Sequence, residues 1–326
     1  MTFFRKMLLA IVLAFGLAAQ PAMAGKGPVK VSKGSDAAGT QQVVIGQFTL
    51  GVMVERKDTS KARGGIFGGG SGGKSTGLGT LQGYDPAQFQ VVADAAYADF
   101  VKQLEASGFT VLDRANLAAM EAYQKLAPVD STKEVTVKSL VAEKAKVLFY
   151  GADGTGAARI MPGDYPAGGF GGFGSAMSGY KATAAINEYV KSTGVRVVNV
   201  IYYLDFAEVE KRRSMSTSSI GMQGVLAVAE NGSKLTLFTG KNTPTTITLN
   251  EPVGVEGDFF AQENAMGDGE KVARGAMKAL NVLGGMGWNG MKKRNFIPQE
   301  GAYPEGATDA AIAANTVLVG ELAALR

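Results

Sequence analysis

The chain has 326 residues, a formal net charge of +4, and neither cysteine nor histidine. That length supports one large domain or two small ones with a sizeable core. The two missing residue types exclude disulfides, thiolate metal sites, thiol nucleophiles, a Ser-His-Asp relay and a lipid-bearing cysteine, leaving Asp, Glu, Lys and Tyr as the sources of any chemistry.

The first 24 residues read as a signal peptide: basic "MTFFRK", apolar "MLLAIVLAFGLAA", then the A-x-A site "AMA" before Gly25. Cleavage after Ala24 leaves 302 residues and, with Arg5 and Lys6 gone, a net charge of +2. A chain so near neutral has no nucleic-acid footprint. The expected address is the periplasm or the outer-membrane periphery, without a lipid anchor.

Residues 25–40 are polar and Gly-rich and are expected to form a flexible arm. "QQVVIGQFTLGVMVERKD" from Gln41 reads as a long strand, followed by a Gly/Ser/Lys loop over 58–84. Asp85 and Pro86 form a helix start, and Phe89, Ala93, Ala96, Phe100 and Leu104 give the helix one apolar face up to Gly108. "FTVLD" is a short strand, "RANLAAMEAYQKLA" a second helix, "VKSLVAEKA" a third, short one capped by Thr136, and "KVLFYGA" a strand.

A second Gly-rich insert covers 162–180 and leads to the helical "KATAAINEYVKSTG". "VRVVNVIYYLDFAEVE" is apolar on both faces, as in a central strand. Two strands around Asn231-Gly232, within 220–241, predict a β-hairpin of the sheet, and "TTITL" adds one strand more. A helix from Asp268 and a terminal helix over 307–326 complete the pattern. The class is α/β (α+β): a single mixed sheet covered by helices, with Gly-rich loop insertions. It divides into an α/β envelope domain over 41–290 and a C-terminal extension over 291–326.

Three motifs match by letter. Gly68 to Ser75 fit the P-loop pattern G-x-x-x-x-G-K-[ST]. A P-loop, however, follows directly on a strand, and its Lys-Ser pair opens a helix. Here "TGLGTLQGYDP" follows that pair, too rich in glycine for a helix, and the expectation is that no nucleotide binds. Gly69, Ser71 and Gly73 fit G-x-S-x-G, yet no histidine exists to activate Ser71. Gly169, Gly171 and Gly174 fit G-x-G-x-x-G without a preceding strand. Catalytic residues, cofactor and metal ligands are therefore all assigned as none. The residues singled out are Phe170, Phe173 and Tyr180, aromatic side chains among glycines that either meet a partner or a lipid surface or fold back on their own domain.

Phe109 to Met120 ("FTVLDRANLAAM") and Leu140 to Gly151, with "LAVAENGSKLTLFTG" and "EKVARGAMKAL", resemble the periplasmic domain of the curli-secretion channel (CsgG) family and its envelope-assembly relatives. The resemblance spans about residues 42–285. It implies a scaffold that serves surface-structure assembly or secretion as an oligomer, without enzymatic activity. The chain departs from the family in lacking the anchoring cysteine. It departs again near 162–180, where Pro162, Pro166 and the glycines leave no ten-residue alternating strands for a membrane-crossing hairpin. The expected partners are further copies of the chain and other envelope or secretion proteins, with membrane contact but no spanning segment. A periplasmic binding module for a small molecule or polysaccharide is the alternative.

Overall fold

Strand β2, Gln42–Lys61, is the spine of the protein: twenty residues, nearly all buried up to Val54. The computed structural model describes residues 27–62, 73–138, 142–161, 164, 173–214, 218–266 and 289–326, without the side chains of 173–178, 289 and 290. The signal segment and the helix expected from Asp268 lie outside the described residues. Among those residues, thirteen strands form one mixed sheet, so the α/β class holds.

Parallel to β2 runs β7, Arg196–Arg213, paired from Val43↔Arg196 to Val52↔Leu204. On the other edge of β2 lie β4 (Thr110–Leu112) and β6 (Lys144–Gly151). Helix α1, Pro86–Ala106, covers one face. Asp85 accepts a hydrogen bond from the Ala87 N–H at 2.9 Å, and the expected Phe89-to-Leu104 stripe is buried. Beneath it Phe48 sits within 5.5–5.8 Å, ring centre to ring centre, of Tyr97, Phe100 and Tyr202. The opposite face carries α2 (Ala115–Ala118), α3 (Glu121–Gln124) and α4 (Phe173–Thr193), whose Leu117, Tyr123, Ile186 and Val190 pack on Val44 and Val197.

Several sequence expectations are corrected. The single helix over 114–127 is broken at Met120, whose extended backbone lets both Leu117 and Tyr123 turn inward. The short helix expected after Thr136 is instead strand β5, Val135–Lys138, whose β-branched residues pair with β6; residues 139–141 are not described. Val29–Ser32, expected in the flexible arm, forms β1 on the edge of β10, Thr245–Leu249.

The expected hairpin at Asn231-Gly232 is not one. Strands β8 (Ser218–Val228) and β9 (Lys234–Phe238) both pair with β7, end to end along one edge. The Asn-Gly step, with Asn231 at φ 64°, offsets one run from the next rather than reversing it. The reversal comes later, where β9 meets β10, and β11 (Val253–Val255) then returns along β8.

Both described ends of the loop expected over 58–84 contain strand. β2 continues to Lys61, and β3, Lys74–Leu81, pairs back on it. Glycine disfavours strands unless another chain segment must approach closely. A Cβ on Gly79 would lie 2.7 Å from Met222 Cε and 3.2 Å from the Phe206 and Phe296 rings.

Residues 291–326 are no separate extension. β13, Asn289–Pro298, lies between β3 and β12 (Phe260–Asn264). Helix α5, Ala302–Ala324, packs on α1. There buried Asn315 donates to the Ala96 carbonyl at 2.9 Å and to Asp99 at 2.8 Å, while accepting from the Tyr202 hydroxyl at 2.8 Å.

These pairings fork the sheet. Residues 49–57 of β2 keep β6 on one edge throughout. The other edge is held by β7 as far as Val52 and by β3 from Glu55 onward. β7 thus parts from β2 after Leu204 and continues with β8 as a second leaf. The two leaves pack through Phe206 against Phe296, 5.2 Å between ring centres, and through Met222 over Gly77 and Gly79. At the far end Ser75 Oγ donates to the Ser218 carbonyl at 2.6 Å, and Ser218 Oγ reaches the Ser60 and Gly73 carbonyls.

Candidate functional site

Where the leaves part, β7 loses its neighbour on one edge, and its polar groups need new partners. Arg56, 4% exposed, supplies them. Its guanidinium pairs with Asp58 at 3.0 Å and donates to the Asp205 carboxylate and the Ala207 carbonyl. Lys211 closes on Asp58 from the side at 2.8 Å. Burial works against the Arg56 charge, but Asp205 and Asp58 outweigh it and hold the guanidinium more firmly protonated. This cluster lines a cleft of about 620 Å³ with Val209, Leu226 and Val255. Its four inner charges are paired with one another, which makes it a clamp between leaves.

A second cleft, of about 200 Å³, lies between α4, β7 and β9. Its construction starts at Gly46, where the β2–β7 register slips between Ile45 and Gln47. The freed Gly46 carbonyl accepts from Arg114 at 3.0 Å and from the Tyr123 hydroxyl. The bare Cα of Gly46 also makes room for Asn199, whose Oδ1 would stand 2.5 Å from a Cβ there. Asn199 is 7% exposed, lines the cleft, and has both side-chain polar atoms without a hydrogen-bond partner. Thr183, Thr236, Asn242 and Thr243 add hydroxyl and amide groups, and Phe238 and Pro244 an apolar wall.

Asp164 closes one side. Its carboxylate accepts from the Met161 N–H at 2.7 Å and faces Lys234 at 3.4 Å, while its carbonyl accepts from the Tyr203 hydroxyl at 3.1 Å. Burial pushes the Asp164 carboxyl upward, and Lys234 pulls it back.

Comparison with family models, with curated proteins and with solved structures found no match to this chain.

Of the three aromatic residues singled out in the sequence, Tyr180 stands on α4 at this cleft, 62% exposed. Phe173 begins α4, though its side chain is outside the described set, as is the whole of Phe170. Sequence reading missed Asn199, which sits inside the apolar run "VRVVNVIYY"; a lone amide in a central strand was the available signal. Lys74 and Ser75 of the P-loop pattern begin β3 instead of a helix.

Among the described residues no His/Cys/Asp/Glu group of three could hold a metal ion, and no helix is long and apolar enough to cross a membrane.

Proposed function

We propose that this chain is an exported, non-enzymatic protein of the cell envelope that acts in surface-structure assembly or secretion as an oligomer. The observation that carries the reading is the forked arm. Strands of 20 and 18 residues far exceed the usual five or six, and their outer halves build a second layer that packs in part on α5. That layer ends at β12, which has one strand partner among the described residues and four exposed residues of five. An open edge of this kind is a template for pairing with another chain. The missing histidine and cysteine, and the pairing of the buried charges with one another, also favour binding over catalysis.

The test is the native mass of mature protein taken from the envelope. A defined multimer of a chain beginning at Gly25 is expected. A monomer at working concentration would remove the assembly reading. A retained leader would remove the export on which it depends.

A second reading, a binding module for a small molecule or polysaccharide, is favoured by one observation: the unpartnered amide of Asn199 in a cleft with Tyr180 at its mouth.

A further inference from the structure

We infer that the cleft between α4, β7 and β9 binds one ring of a neutral sugar, with Asn199 at its floor and Tyr180 at its mouth. This rests on the second reading above and is independent of oligomeric state, so its failure leaves the assembly proposal standing.

The argument begins with Asn199. An amide carries two donors and an acceptor, and one buried without partners is disfavoured wherever it stands. Gly46 is shaped to admit this amide, since any side chain there would collide with Oδ1. Both polar atoms of Asn199 are nevertheless unpartnered, and the side chain lines the cleft. A ligand that donates and accepts at once completes such a floor when the covered amide turns toward the cleft. Sugar hydroxyls do both.

Charge narrows the class. The hydrogen-bonding groups around Asn199, namely Thr183, Thr236 and Asn242, are neutral, and the nearby Asp164 is engaged by Lys234 and the Met161 N–H. An anionic ligand would meet the Asp164 carboxylate, and a cationic one would compete with Lys234. Size narrows it again. About 200 Å³ falls below the roughly 300–1,000 Å³ of drug-sized sites, which suits one ring with the rest of a glycan leading outward. Tyr180, 62% exposed at the rim, offers the flat apolar face on which the C–H side of a pyranose lies. An exposed aromatic side chain above a polar floor matches a ligand that is polar at its edge and apolar on its faces.

The test is titration of the mature protein with D-glucose, D-galactose, N-acetylglucosamine and their short oligomers, followed through the side-chain amide resonances of ¹⁵N-labelled protein. At least one neutral sugar should bind at millimolar strength or better and shift the Asn199 amide signals. Tyr180→Ala, at an exposed position that does not hold the fold, should weaken that binding about tenfold, equivalent to about 1.4 kcal/mol. Asn242→Ala should weaken it in the same direction, and Asn199→Leu should abolish it with the remaining spectrum unchanged. The inference is overturned if no neutral sugar moves the Asn199 signals. It is equally overturned if Tyr180→Ala leaves affinity as it was, or if glucuronate or inorganic phosphate binds there more tightly than the neutral sugars.

Discussion

Arg56 of β2 and Asp205 of β7 meet just beyond Val52 and Leu204, the last residues at which their strands pair. Up to that point the backbone holds the strands together, and beyond it a guanidinium does. The same Arg56 group takes the Ala207 carbonyl, which the departure of β2 leaves without a ladder partner.

Replacing Arg56 should therefore be severe. Arg56→Met leaves Asp205 buried without its cation and Asp58 with Lys211 alone, a change that costs about 3–5 kcal/mol when a buried pair is broken from one side. Denaturant unfolding should show that loss. Combined with Asp58→Asn and Asp205→Asn, the cost should shrink, because the stranded charges go with it. A triple variant as unstable as the single would argue against the clamp.

Phe100 is fully buried against Phe48. Phe100→Ala should lower stability by about 3–5 kcal/mol. An unchanged melting temperature would instead mark this face of α1 as exposed in solution.

Gly151 and Gly221 make a paired test. A Cβ on Gly151 would lie 2.1 Å from the Gly156 carbonyl oxygen and 2.6 Å from the Ala158 nitrogen, so backbone must move. At Gly221 the nearest atom is 3.7 Å away. Gly151→Ala should cost about 1–3 kcal/mol or prevent folding, and Gly221→Ala should be nearly silent. Equal effects at the two sites would contradict the close packing of the 152–158 turn on β6.

The buried phenols set an alkaline limit. Burial raises Tyr150, with Tyr84 and Asp85 adding to it, to about 12, and burial also lifts Tyr202 and Tyr303. In the unfolded chain these groups ionise near 10. The stability that depends on keeping them neutral is complete below pH 10 and is lost as the pH climbs from there through the folded values. Absorbance of phenolate should rise cooperatively with loss of structure above pH 10. Smooth ionisation of every tyrosine near 10 in a folded chain would refute their burial.

Calorimetry with ATP and magnesium should register no heat of binding. Lys74 and Ser75 lie on β3, where their backbone amides belong to the sheet. Micromolar affinity that vanishes in Lys74→Ala would restore the P-loop reading.

Local pattern was enough to read several elements. The apolar stripe and the Asp-Pro cap of α1, the long runs of β2 and β7, and the mixed class all follow from residues close together in sequence. Arg114 follows "FTVLD" in the sequence, but only the structure shows it serving the Gly46 carbonyl.

The sequence by itself determined which segments hide and which turn, because side-chain periodicity and capping act within a few residues. Tertiary structure decided the partners. Asn231-Gly232 bends the chain in either arrangement, but β8 and β9 find β7 rather than each other, since the 18 residues of β7 offer an edge long enough for both. The glycines of β3 resemble a loop until Met222, Phe206 and Phe296 arrive from far along the chain and require the space. Asn199 reads as one amide in a strand until the slip at Gly46 opens the floor beneath α4. In each case the deciding contact joins residues widely separated in sequence, and its benefit exists only once the chain has closed on itself.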